Sequence, residues 1–548
     1  TDTTTPPSLS STPPYDRAMS IASGHSPNDS LGSASLNVNR QINNAGLPNN
    51  RGRIDMALSS IKFGEESKQV RALEELLVLL QSQETSKDLS DVGAIDVVID
   101  AVKKNQSSSQ SSSSTVSYLG ACVLSCYAQH RSEQVALVRA GMIRLFSSLL
   151  AATSATDVRT QHAVLVGLGY LSASPEVRSK LTIAAVGKDC VRLIDSDSSP
   201  VIAGAIAVLA NCAVEAAMAA SLLKTIALEK LVPLLHHAEV DVAYSTTALI
   251  YHLTSTPNGV QRCVEAGCLN GLVRLCFETP FPSCKETGLL ALSNLACSPL
   301  AQRDDLTLEL WPLLTSICDV WRQEMSLTQA ALTAAAALLQ RSSSKHGPAA
   351  MHAGAIASMV AIASETNSLR PYALAALSHG VSFAGIAGWL CESPRTPLLW
   401  HCMEESNKDN EAICTALTLT TAWLRQHPPS SSSSSSAPCC LTPKHWDGCA
   451  HLLGTSSRLY WECGLNAAQA ILTAQPKMAK FMGRSRVLER LGALGEEDRP
   501  ALRHLSPSDR DALRHQCALV LAMAALGDAA VGNRQYIMAA GAIQLWRQ

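Results

Sequence analysis

Apolar positions along this 548-residue chain recur every three or four residues, and Val and Ile do not fall into alternating runs. That spacing puts a stripe of Ala and Leu on one side of a helix and predicts helices throughout. Two short patterns return along the chain. In the first, a short apolar helix is followed by one Gly, and then by a small-apolar pair that opens a second amphipathic helix. It appears as "LSDVGAIDVVIDAV" (89–102), "ALVRAGMIRLFSSLL" (136–150), "CVEAGCLNGLVRLC" (263–276), "AMHAGAIASMVAIA" (350–363) and "YIMAAGAIQLW" (536–546). Its glycines are Gly93, Gly141, Gly267, Gly354 and Gly541. Glycine there permits a sharp turn at which a Cβ would clash.

The second pattern follows the first: "AIAVLANCA" (205–213), "TTALIYHLT" (246–254) and "GLLALSNLA" (288–296). In this frame Asn211, His252 and Asn294 are equivalent, 41 and 42 residues apart. Tyr170, Ala337 and His379 extend the series, and weaker copies lie at 414–424, 465–474 and 517–526. The first unit begins near "RALEELLVLLQ" (71–81). A period of this length without strands predicts a helical solenoid.

These units resemble armadillo repeats, in which a short first helix, a second helix after the Gly and a longer third helix form one unit. "EAGCLNGLVRL" and "ALSNLA" carry the resemblance, which spans 54–548. It implies an all-α, right-handed α-solenoid of about ten three-helix repeats. Ile226 stands in the place of the turn Gly before Gly267, and the units between Gly380 and Arg510 match poorly.

Residues 1–50 are rich in Ser, Thr, Pro and Asn and are expected to be a disordered tail. Ser-rich tracts near 107–115 and 428–437 read as insertions between helices, and 492–515 as a charged loop with one short helix. The helix after that loop can start at Ser506, which precedes Pro507, or at Ser508, which has Asp511 three residues on. The chain stops after a second helix, which suggests a fragment of a longer solenoid.

Net charge is -2, so no global field favours nucleic acid. The 18 cysteines contain no C-x-x-C, so no metal site is expected, and Cys263, Cys268 and Cys276 read as buried thiols in a reducing, cytoplasmic setting. Cys439 and Cys440, beside a Ser tract, are the pair expected to be exposed. The apolar stretch 201–223 holds Asn211 and Glu215 and reads as a buried helix pair, not a membrane span. "GLGYLSAS" (167–174) lacks the strand a dinucleotide loop needs, and no H-E-x-x-H or G-x-S-x-G occurs. No catalytic residue and no cofactor are therefore expected.

The resemblance implies that third helices line a concave groove, where the Asn of "ALSNLA" hydrogen-bonds the backbone of an extended protein or peptide partner. Asn211 and Asn294 match that Asn, and His252 replaces the middle one. The alternative is that these side chains only satisfy neighbouring backbone groups. Import adaptors of this family carry a Trp four residues earlier, where Ala207, Ala248 and Leu290 stand here, and almost no Lys or Arg lies on the third-helix frames. The reading is therefore a non-catalytic scaffold or adaptor. Its alternatives are the substrate-binding arm of a ubiquitin-ligase or chaperone assembly, and a component of a ciliary or cytoskeletal complex.

Overall fold

The computed structural model describes residues 50–527, apart from 81–91, 107–112, 154–156, 182–185, 297–307, 366–367, 393–399, 401–408, 427–440, 476–477, 483–485, 496–506 and single positions. The expected tail before residue 50, the 428–437 tract, Cys439, Cys440 and Gly541 lie outside the described residues. Every regular element among the described residues is helical, as the period predicts.

The chain divides into two units, Thr1–Ala291 and Leu292–Gln548. Third helices organise each of them. In the first unit these are Glu66–Leu79 (α1), Ser113–Gln129 (α2), Val158–Ala173 (α3), Ser199–Ala213 (α4) and Val240–Thr254 (α5), each packed on the next. The division falls inside Pro282–Ala296 (α6). In the second unit Met325–His352 (α7), Arg370–Gly380 (α8), Asn410–Gln426 (α9), Arg458–Ala474 (α10) and Pro507–Gly527 (α11) stack in the same order. Ser113–Thr115, at the end of the expected first insertion, open α2.

Gly93, Gly141, Gly267 and Gly354 all have positive φ, at 74°, 92°, 82° and 79°. A Cβ added at any of them would meet no neighbouring atom within 4 Å. The demand for glycine thus comes from the left-handed backbone itself, in which a Cβ crowds its own peptide. Across Gly141 the helices Arg131–Arg139 and Met142–Ala152 meet at 74°, and across Gly354 the two flanking helices meet at 80°. Where Ile226 replaces the glycine, the backbone is extended at Ile226 and Ala227, and the second helix shrinks to a 3-10 turn, Leu228–Lys230, followed by Leu231–Leu234.

The breaks between a third helix and the next first helix are also written in the chain. Pro175 and Pro257 occupy first helical positions, and Thr256 Oγ1 accepts from the Gly259 amide at 3.2 Å. A proline disfavours helical backbone in the residue before it, so the preceding helix ends there. Pro348 lies within the next such boundary, yet α7 runs for 28 residues through a third helix and the following first helix, with the proline inside it.

Buried polar side chains close the helix ends. Gln134 Nε2 donates to Ala128 O at 2.7 Å, at the end of α2. Arg178 donates from Nε to Ser172 O at 2.8 Å and from Nη2 to Ala173 O at 2.9 Å, at the end of α3. Arg370 Nε donates to Ala363 O at 2.9 Å, one residue short of the end of Ala355–Ser364. The last carbonyls of a helix have no partner within it, and these side chains supply one.

The 201–223 stretch is two helices, α4 and Ala216–Thr225, with most of α4 buried. Among the described residues no single helix is long and apolar enough to cross a membrane. The charged loop expected over 492–515 is corrected: Val487–Gly495 is helical, and α11 begins at Pro507, with Ser508 already inside it. Proline's fixed φ and missing N–H suit that first position.

Candidate functional site

Third helices in the first unit are buried on most sides, and what remains accessible is a narrow stripe. On α4 the residues left partly exposed in its middle are Gly204, Ala207 and Asn211; the intervening Ala205, Ile206, Val208, Leu209 and Ala210 are buried. On α5 the stripe continues with Ala248, Tyr251 and His252, and on α3 with His162, Val166 and Gly169. Spacings of three and four place these on one face of each helix. The stripe is small and uncharged at Ala207 and Ala248.

Asn211 Nδ2 donates to Gly169 O at 3.3 Å and to Ser172 Oγ at 3.0 Å, both on α3. Both amide hydrogens are thus committed to the preceding repeat. Oδ1 makes no hydrogen bond among the described residues, so the amide keeps an acceptor for an incoming group. Ser172 is fully buried and donates to Gly169 O at 2.9 Å. Asn211 therefore has its donors spent within the fold and its Oδ1 acceptor open.

His252 is half-buried near the end of α5, its ring 5.0 Å from that of Tyr251. Burial pushes its pKa down to about 4, and the charge of Arg178 pushes in the same direction. His252 therefore stays neutral well below neutral pH, because both forces oppose a second positive charge. Asn294 is half-buried on α6 and belongs to the second unit, whereas Asn211 and His252 belong to the first.

Sequence reasoning missed Arg178. Its signal was the period: Gln134 and Arg178 stand 44 residues apart and perform the same closure of a third helix. It also missed a cavity of about 180 Å³ between α10 and α11, lined by Arg458, Glu462, Asn466, Asp509, Leu513 and Gln516. Arg458 spans it, with Nε 2.7 Å from Glu462 and Nη2 3.1 Å from Asp509. As these groups are half-exposed, the ion pairs add little stability.

The three cysteines of the 263–276 stretch are fully buried. Burial pushes Cys276 up to about 12, and Cys263 is raised, first by its hydrogen bond with the Cys268 thiol and then by burial. Raised thiols are poor nucleophiles and poor ligands. Every described cysteine is a free thiol, and no group of three or more metal-ligating side chains occurs among the described residues. His236, half-buried, lies 3.7 Å from Glu278, and His237 Nδ1 accepts from the Glu239 amide. That second bond braces the backbone just before α5.

Stacked third helices with turn glycines define a tandem helical-repeat protein. The chain has an armadillo-like repeat fold. An engineered protein of known crystal structure superposes with a TM-score of 0.57 at 18% identity, over 86% of this chain and 98% of its own. A structure concerned with a phosphorylation switch in the interaction between cadherin and β-catenin superposes with a TM-score of 0.56 at 15% identity, over 90% of this chain and 95% of that one. A designed armadillo repeat protein aligns with 44% of this chain and 99% of its own, at 21% identity and a TM-score of 0.40. No family model matches the chain. No curated protein matches it either.

Proposed function

We propose that the chain is a non-catalytic interaction scaffold of the cytoplasm that holds an extended segment of a protein partner in a groove along its third helices. The observation that carries this is the accessible stripe of α3, α4 and α5. It is one residue wide, small at Ala207 and Ala248, and carries the half-used amide of Asn211. A stripe of that kind suits a partner backbone, with apolar or mixed side chains seated between helices. Structures of like fold include one concerned with cadherin and β-catenin and one of a designed armadillo protein in complex with a (KR)4 peptide. These support a peptide-binding reading of the groove in general and leave the partner's identity to experiment.

The test is affinity for a partner recovered with the full chain and identified by cross-linking mass spectrometry. Ala207→Arg with Ala248→Arg fills the stripe at exposed positions and is expected to abolish binding with helicity unchanged. Asn211→Ala with Asn294→Ala is expected to weaken it by about one to two orders of magnitude. Full affinity in both variants, with the fold intact, sinks the groove reading. Recovered ligase or chaperone subunits would favour a substrate-binding arm, and axonemal or filament proteins a cytoskeletal role.

A further inference from the structure

Two half-buried thiols meet on neighbouring third helices of the second unit. Cys414 lies on α9 and Cys463 on α10. Cys463 Sγ donates to the backbone oxygen of Cys414 at 3.3 Å and lies 3.7 Å from Thr418 Oγ1, one turn further along α9. The exposed Thr418 beside them leaves the pair open to small solutes.

We propose that Cys414 and Cys463 form an oxidative modification site, a dithiol that a hydroperoxide converts to an inter-repeat disulfide. Three observations carry it. Cys463 Sγ lies 3.3 Å from the Cys414 backbone oxygen, so the two residues are in direct contact across α9 and α10, and closing a disulfide requires their Cα atoms to sit about 4.4–6.8 Å apart. Both residues are partly exposed, unlike most of the described cysteines. Once Cys463 loses its proton, the Cys414 thiol and the Thr418 hydroxyl remain as donors to the sulfur, and both hold its pKa down, that of Cys414 the more strongly. The same contact holds the Cys414 pKa up, so the two thiols take different parts in the reaction.

The step balances without any group from the protein beyond the two cysteines. The Cys463 thiolate attacks one oxygen of hydrogen peroxide; an S–O bond forms, the O–O bond breaks, and hydroxide leaves and takes up the proton lost from Cys463. The Cys414 sulfur then attacks the sulfenic sulfur; the S–S bond forms, the S–O bond breaks, and hydroxyl departs as water with the Cys414 proton. Two thiols and one peroxide give one disulfide and two waters, with two electrons passing to the peroxide. The bond ties α9 to α10.

The chain offers its own control. Cys268 likewise holds the Cys263 pKa up, yet both residues are fully buried. The experiment treats the full chain with hydrogen peroxide at neutral pH, blocks remaining thiols, digests with trypsin and reads the peptides by mass spectrometry. Trypsin releases residues 409–425 and 459–477, each with a single cysteine. A reducible link between these two peptides is expected, with Cys263 and Cys268 still blocked as thiols. Cys463→Ser and Cys414→Ser should each remove the link. In Cys414→Ser, Cys463 should stop at a sulfenic acid that dimedone traps. Absence of the linked peptide from oxidised, fully helical wild type overturns the proposal, as does oxidation of Cys263 and Cys268 at the same rate.

Discussion

Asn211 holds Ser172 across one repeat, its Nδ2 3.0 Å from the Ser172 hydroxyl. This half-buried residue of α4 is therefore a rivet between α3 and α4. Any binding role it has is superposed on a structural one.

Replacing Asn211 separates the two roles. Asn211→Ala removes two hydrogen bonds and should cost roughly 1–2 kcal/mol. Asn211→Asp should cost more, because a carboxylate oxygen would then face the carbonyl of Gly169. Denaturant midpoints of the two variants give the ranking. An Asp variant as stable as the Ala variant would show that Nδ2 is not the contacting group.

Acid should loosen the fold. The pKa values of His162, His236, His252, His346 and His379 all lie below the ordinary 6.5, chiefly through burial. The folded chain thus binds fewer protons than the unfolded one. Their contribution is complete above about pH 6.5 and is lost as pH falls toward about 4, the value reached by His252 and His346. His346 also accepts from Trp311 Nε1 at 3.3 Å through Nδ1, a bond that protonation breaks. The melting temperature should fall between pH 7 and pH 5, and less so in His346→Gln. A flat profile over that range is the adverse outcome.

Arg178 should prove structural and electrostatic at once. Arg178→Met keeps most of the volume but strips the end carbonyls of α3 of their donors, at a cost of roughly 2–4 kcal/mol. It also removes a cation that depresses His252, so the His252 pKa should rise, as proton NMR would record. An unmoved His252 titration would place Arg178 out of its electrostatic reach.

Two glycines should fail for different reasons. Gly267→Ala forces a Cβ into left-handed backbone with open space around it, at about 1 kcal/mol. Gly167→Ala keeps helical backbone but drives its Cβ into Ser125 Oγ and to 2.6 Å from Phe146, which should cost about 1–3 kcal/mol. Gly267→Asn should be milder than Gly267→Ala, since Asn tolerates that backbone. Thermal scans of the three variants check the order.

Much of the architecture could be read from the chain because its causes are local. A left-handed turn needs glycine, so Gly93, Gly141, Gly267 and Gly354 declared themselves, and a helix start takes proline, so Pro507 did too. The 41-residue spacing from Asn211 to His252 was legible for the same reason. What escaped was decided across repeats. That Asn211 spends its hydrogens on Gly169 and Ser172, and that Arg178 suppresses His252, depends on distances between helices that no single stretch encodes. The closeness of Cys414 to Cys463 is of this kind as well, since 48 residues of chain lie between them.

The uninterrupted α7 changes how this part of the chain would respond to load. At 1.5 Å per residue its 28 residues make a rod about 42 Å long. Elsewhere a proline or an extended residue separates one repeat from the next, and tension can open that joint while both neighbours stay folded. Here the backbone stays helical through Pro348, and no extended residue separates the two repeats. Two repeats must yield together, so in a pulling experiment the segment around Met325–His352 should give one large extension where its neighbours give two small ones.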